Sequence, residues 1–136
     1  MKPIFVDTSA LIALGNKRDK YHHQAIEINN LLKQANMNYV ITSAIILEFG
    51  NAFSPTNLKR TAIQMIESIN KSKKWKRIDI DKFYIDKGFQ KFKSFQDKDW
   101  GLVDCISMNI AIEFDIKEIF TADKHFEQAG FKILLK

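Results

Sequence analysis

Residues 4–14, IFVDTSALIAL, decide how the rest of the chain is read. Ile4, Phe5 and Val6 make a short apolar run of the kind expected from a strand buried on both faces of a parallel sheet. Asp7 ends that run, Thr8 and Ser9 supply a turn, and a helical pattern begins with SALIAL. Nearly the same arrangement returns at residues 117–126, KEIFTADKHF, where Asp123 stands just past the run Ile119, Phe120, Thr121. An acid placed directly after a buried strand, twice in one chain, needs a reason.

Between these two stretches strands and helices alternate. Ala25, Ile28, Leu31 and Leu32 mark an amphipathic helix from about Tyr21 to Gln34, and Tyr39, Val40 and Ile41 form a second strand. Thr42 and Ser43 offer an N-cap for the helix AIILEFGNAF, which Pro55 ends. A further helix spans about Leu58 to Asn70, a third strand is expected at Arg77 to Ile80, and a Phe-rich helix at about Asp81 to Phe95. Another helix follows the turn QDKDWG, from about Leu102 to Phe114, and the strands Glu118 to Thr121 and Phe131 to Leu134 enclose a small last helix. Strands separated by helices predict parallel pairing in an α/β domain with helices on both faces. The 136 residues, 46% of them hydrophobic, are enough for one compact domain, residues 1–136, with a real core.

No apolar run approaches the roughly 20 residues that a membrane span requires, and no signal peptide is visible, so a soluble cytoplasmic protein without membrane attachment is expected. The single cysteine, Cys105, rules out an internal disulfide. Lys and Arg number 21 against 16 Asp and Glu, a net charge of +5. With four acids gathered at one place, the remainder would carry 21 basic residues against 12 acidic ones. A basic body around an acidic spot suits a polyanion held through bridging metal ions.

Ligands of parallel sheets sit beyond the carboxyl ends of the strands, which brings Asp7 and Asp123 to one edge. Asp104 falls in the first turn of its helix. Glu48 lies about 40° around its helix from Ala52, at the margin of the apolar arc of Ile45, Phe49, Ala52 and Phe53. Asp7, Asp104 and Asp123, taken singly, also suit a helix N-terminus, where Asp is a favoured cap. Taken together, four such acids repel one another unless a cation joins them. Carboxylate oxygens select Mg²⁺ or Mn²⁺.

Four stretches in order, VDTSALIAL with Asp7, SAIILEFGN with Glu48, DKDWGLVDCISMNIA with Asp104 and IFTADKHFEQAGF with Asp123, resemble the PIN-domain ribonucleases, and in particular the small VapC-like toxins of toxin–antitoxin pairs. The resemblance covers essentially the whole chain. It implies a three-layer α/β/α sandwich around a parallel sheet of roughly five strands, an acidic pocket for one or two Mg²⁺ or Mn²⁺ ions, and metal-dependent endonucleolytic cleavage of RNA. Asp7, Glu48, Asp104 and Asp123 match the family's acidic positions and are the expected metal ligands and catalytic residues. Thr8 and Thr121 match supporting hydroxyl positions, and Asp99 stands beside the set as a further supporting acid. Gly101 departs from the pattern, since many relatives carry a hydroxyl residue there. A cognate antitoxin and a homodimer are the partners implied.

The run Lys71, Lys73, Lys74, Trp75, Lys76, Arg77 is read either as a track for RNA phosphates or as a solvated connection. Trp100 either stacks on a base or packs at a helix start. His22, His23 and His125 lack zinc spacing and are expected at the surface, and Cys105 is expected to be a small buried residue. The excess of Phe83, Phe89, Phe92 and Phe95 on one helix offers a face for a second copy or an antitoxin. Competing functions are an RNA-maturation nuclease without antitoxin, a phospho-acceptor domain, and a silent RNA-binding module whose acids only cap helices. The phospho-acceptor reading wants paired acids after the first strand, where Asp7 stands alone.

Overall fold

The computed structural model describes residues 2–136. In chain order the elements are β1 (Ile4–Val6), α1 (Thr8–Gly15), α2 (His22–Gln34), β2 (Tyr39–Thr42), α3 (Ser43–Ala52), α4 (Thr56–Lys71), β3 (Trp75–Ile78), α5 (Lys82–Ser94), α6 (Leu102–Glu113), β4 (Glu118–Phe120), α7 (Lys124–Gln128) and β5 (Lys132–Ile133). Five strands pair in parallel in the order β3-β2-β1-β4-β5. All residues of β1 and β2 are buried, which explains their unbroken apolar sequences.

Right-handed crossovers dictate where the helices go. The chain steps from β1 to β2 to β3 in one direction, so α1 to α4 cover one face. It then returns past β1 to β4 and β5, so α5 to α7 cover the other. The contacts agree: α1 packs on α2, α3 and α4, while α5 packs on α6 and α6 on α7. This is the α/β/α sandwich with a five-stranded parallel sheet. Among the described residues, no helix is long and apolar enough to cross a membrane.

The third strand lies two residues earlier than its sequence predicts. Trp75 takes the ladder position opposite Tyr39, and the two rings stack at 4.5 Å. Lys76 and Arg77 disguise the strand, but β3 is an edge strand where both side chains reach solvent. Beyond Ile78 the backbone turns away, with Ile80 N–H donating to Ser43 Oγ at 2.9 Å and Asp81 capping α5 through Tyr84 N–H. β5 is likewise shorter than expected.

Gly88 sits where α5 crosses closest to α6. A Cβ there would collide with Ile106 Cγ1, an atom too near its own backbone to swing away. Overpacking of this kind costs about 1–3 kcal/mol. That outweighs the roughly 1 kcal/mol by which Ala exceeds Gly as a helix former. Gly88→Ala is therefore expected to lower the urea midpoint; a raised midpoint would show that the two helices separate freely.

Candidate functional site

The sheet order has a switch point. The chain leaves β1 toward β2 on one side and comes back to β4 on the other, so a crevice opens between β1 and β4 at their carboxyl ends. Asp7 directly follows β1, and Asp123 lies three residues past Phe120, the end of β4. The N-terminus of α6 brings Asp104 to the same place, and α3 contributes Glu48. These four acids, with Thr8, Ser9, Ile12 and Asn51, line one open pocket of about 510 Å³.

Helix capping does not explain Asp7. It occupies the N-cap position of α1, yet its side chain makes no cap hydrogen bond. It is only 6% exposed. Its Oδ2 accepts instead from Thr121 Oγ1 at 2.7 Å and from Ser9 Oγ at 3.3 Å. Burial pushes its pKa up to about 6, with the charges of Asp104 and Asp123 adding to the rise and the Thr121 hydroxyl and Thr8 N–H opposing it. Thr121, fully buried, also accepts from Asp123 N–H at 3.0 Å, so one hydroxyl ties the ends of β1 and β4 together.

The other three acids are more open. Glu48 is exposed and accepts from Thr8 Oγ1 at 2.6 Å. Asp104 Oδ2 accepts from Gly101 N–H at 3.0 Å, and Asp123 Oδ1 caps α7 by accepting from His125 N–H at 2.9 Å. Capping thus accounts for one oxygen each of Asp104 and Asp123. With Gly101 as N-cap, α6 is served by the Asp104 carboxylate rather than by a hydroxyl at the cap.

Other expected residues fall elsewhere. Asp99 is exposed and does not line the pocket. Trp100 is 6% exposed, packs its ring on Phe95 at 4.9 Å and donates its indole N–H to Gln128 Oε1, so its place is in the core. Lys73, Lys74 and Trp75 stand at the amino ends of the strands, where Lys74 O receives Tyr39 N–H, opposite to the pocket edge. Lys76 Nζ lies over the Phe114 ring, and Arg77 bonds Asp79 and Asn70. Cys105 is buried on the inner face of α6 and its thiol is pushed up in pKa, chiefly by burial, which removes it as a nucleophile.

His125, expected at the surface, is instead half-buried between two pocket acids. Its Nδ1 is 3.2 Å from Asp104 Oδ2 and 3.3 Å from Asp123 Oδ1. The spacing DKH after a strand holds the only hint of this, since Asp123 and His125 share the first turn of α7. That Asp104 would join them depends on how α6 packs.

Among the described residues, Asp79, Asp86, Asp97, Asp115, Glu118 and Glu127 each have a Lys or Arg within ion-pair distance, whereas none of the four pocket acids does. No Lys or Arg lines the pocket either. Other described acids, Asp19, Glu27 and Glu67 among them, also have no such ion pair; what distinguishes these four is that they share one pocket, where their negative charges add. The donor set, carboxylate oxygens beside hydroxyls, fits Mg²⁺ or Mn²⁺.

Residues 4–132 match the family model of the PIN domain. The chain belongs to the PIN-domain family. Among solved structures, this PIN domain is similar to VapC20 of Mycobacterium tuberculosis, a sarcin-ricin loop cleaving toxin, with a TM-score of 0.82 and 21% identity over 94% of this chain and 95% of that one. It is also similar to VapBC2 from Rickettsia felis bound to a DNA fragment from their promoter, with a TM-score of 0.67 and 16% identity over 96% of each chain. At these identities the likeness is one of fold. Among curated proteins, none matches the chain in sequence.

Proposed function

We propose that this PIN domain is a Mg²⁺- or Mn²⁺-dependent endoribonuclease, and that it acts as the toxin of a toxin–antitoxin pair. The observation that carries the nuclease reading is the gathering of Asp7, Glu48, Asp104 and Asp123 at the switch point with no Lys or Arg to balance them. All four would hold the metal. Thr121 and Ser9 fix the orientation of Asp7, and Thr8 fixes that of Glu48. A bound divalent ion supplies water of lowered pKa and positive charge against the phosphodiester. Asp7 and Asp123, on the rigid ends of β1 and β4, set the position of that charge, while Glu48 and Asp104 approach from helices. Water attacks phosphorus, the P–O3′ bond breaks, and a 5′-phosphate and a 3′-hydroxyl result.

The toxin reading rests on the fold shared with VapC20 and VapBC2. The proposed partners are RNA, a cognate antitoxin and a second copy of the chain. Exposed Phe83, Phe89 and Phe92 on α5, with Phe95 just past its end, give the protein partners an apolar surface. The reacting phosphate enters at the carboxyl edge of the sheet, so Lys73, Lys74 and Trp75 contribute only to longer RNA wrapped around the domain.

One observation favours a second reading. The cap bonds of Asp104 and Asp123 suit a silent RNA-binding module. Purified protein incubated with total RNA separates the two. Discrete cuts bearing 5′-phosphates are expected with Mg²⁺ or Mn²⁺ and should vanish in EDTA. RNA binding that ignores EDTA, with no cuts in any metal, would establish the silent module.

A further inference from the structure

His125 has no part in the metal-dependent cleavage just proposed, yet its ring nitrogen lies against two of the pocket acids. Asp104, Asp123 and His125 each offer one ligand atom within 4.8 Å of the others. The Nδ1 atom is 3.2 Å from Asp104 Oδ2 and 3.3 Å from Asp123 Oδ1. Neighbouring donors in an octahedral shell with bonds of about 2.1 Å stand about 3 Å apart, and both distances from Nδ1 to the carboxylate oxygens are close to that spacing. Their supports are rigid. His125 N–H is held by Asp123 Oδ1, Asp104 by Gly101 N–H, and the adjacent Phe126 is fully buried with its ring against Phe131.

We propose that His125 is a metal ligand through Nδ1, giving the site a face of two carboxylates and one imidazole and shifting its selectivity from Mg²⁺ toward first-row transition ions such as Mn²⁺. The inference rests on reading the pocket as a metal site. Mg²⁺ prefers oxygen and gives up its waters reluctantly, whereas Mn²⁺ accepts the same carboxylates and also binds nitrogen. To bind, Nδ1 presents its lone pair, and the proton it shares with the carboxylates moves to Nε2 or leaves to solvent. The opposite role is a protonated imidazole standing in for the cation and competing with it.

Metal-free wild-type protein and His125→Ala, each titrated with Mn²⁺ and with Mg²⁺ by calorimetry, distinguish these roles. A ligand role predicts that His125→Ala weakens Mn²⁺ by at least about 10-fold, a loss already typical of residues that only orient a ligand. Mg²⁺ affinity changes much less. Pulsed EPR on Mn²⁺-loaded wild-type protein needs no variant and should show ¹⁴N coupling, absent from His125→Ala. Unchanged Mn²⁺ affinity, tighter binding of both ions in His125→Ala, or a wild-type signal without ¹⁴N coupling would overturn the proposal while leaving the metal site intact. Wild-type protein that binds neither ion would overturn the nuclease reading along with it.

Discussion

Asp7→Asn is expected to lower RNA cleavage by more than about 100-fold, since even residues that merely orient a metal ligand contribute about 10- to 100-fold. The change keeps the shape of the side chain and one acceptor for Thr121 Oγ1, the 2.7 Å partner of Asp7. It removes the charge. Asp7 is the best site for this test because helix capping does not account for it, so the loss cannot be assigned to a destabilised α1. Circular dichroism should be unchanged. Asp86→Asn supplies the control, because Asp86 is exposed on α5 and paired with Lys82, far in role from the pocket. Cleavage by Asp7→Asn at the wild-type rate would remove Asp7 from the metal site. Equal losses in both variants would point to a contaminating nuclease or to general damage.

The strands that carry the acids were legible because they are short, apolar and each followed at once by Asp or by a small polar turn. A buried parallel strand has no polar face to confuse the reading, and β1, β2 and β4 were all found within a residue of their ends. The edge strand β3 was displaced because Lys76 and Arg77, which face solvent, make WKRI look like a linker. The order of the strands was beyond reach, and with it the switch point between β1 and β4 that explains why Asp7 and Asp123 converge. His125 was misread for a related reason. One of its contacts is local, with Asp123 two residues away, but the other depends on α6 packing Asp104 against α7. Thr121 and Asp7, 114 residues apart, meet only because β1 and β4 are neighbours.

The burial of Asp7, proposed above as a metal ligand, should make it a poor contributor to stability, and this gives a second large effect. In the unfolded chain its pKa is near 3.8, and in the folded protein it is raised to about 6. Below about pH 4 both states carry the proton and Asp7 has no cost. Between about pH 4 and 6 the folded state holds more protons than the unfolded one, so stability falls as pH rises. Above about pH 6 the loss is complete. Two pK units correspond to about 3 kcal/mol, an upper figure for a group whose surroundings can relax. Asp7→Asn removes the titration. In EDTA at about pH 8 the variant is expected to be more stable than wild type by up to that amount, and at about pH 4 to have no advantage. Urea unfolding of both proteins across this range measures the difference directly. A variant less stable than wild type at pH 8 would mean that the carboxylate is already well balanced without a metal. Added Mn²⁺ should reverse the ranking, because an ion bound only by the folded wild type stabilises it by about 4.1 kcal/mol at about 1,000 times its dissociation constant, while the variant gains little. The same desolvated charge thus weakens the metal-free fold and draws in the ion, so the ion's stabilisation should rise through the pH range in which Asp7 loses its proton.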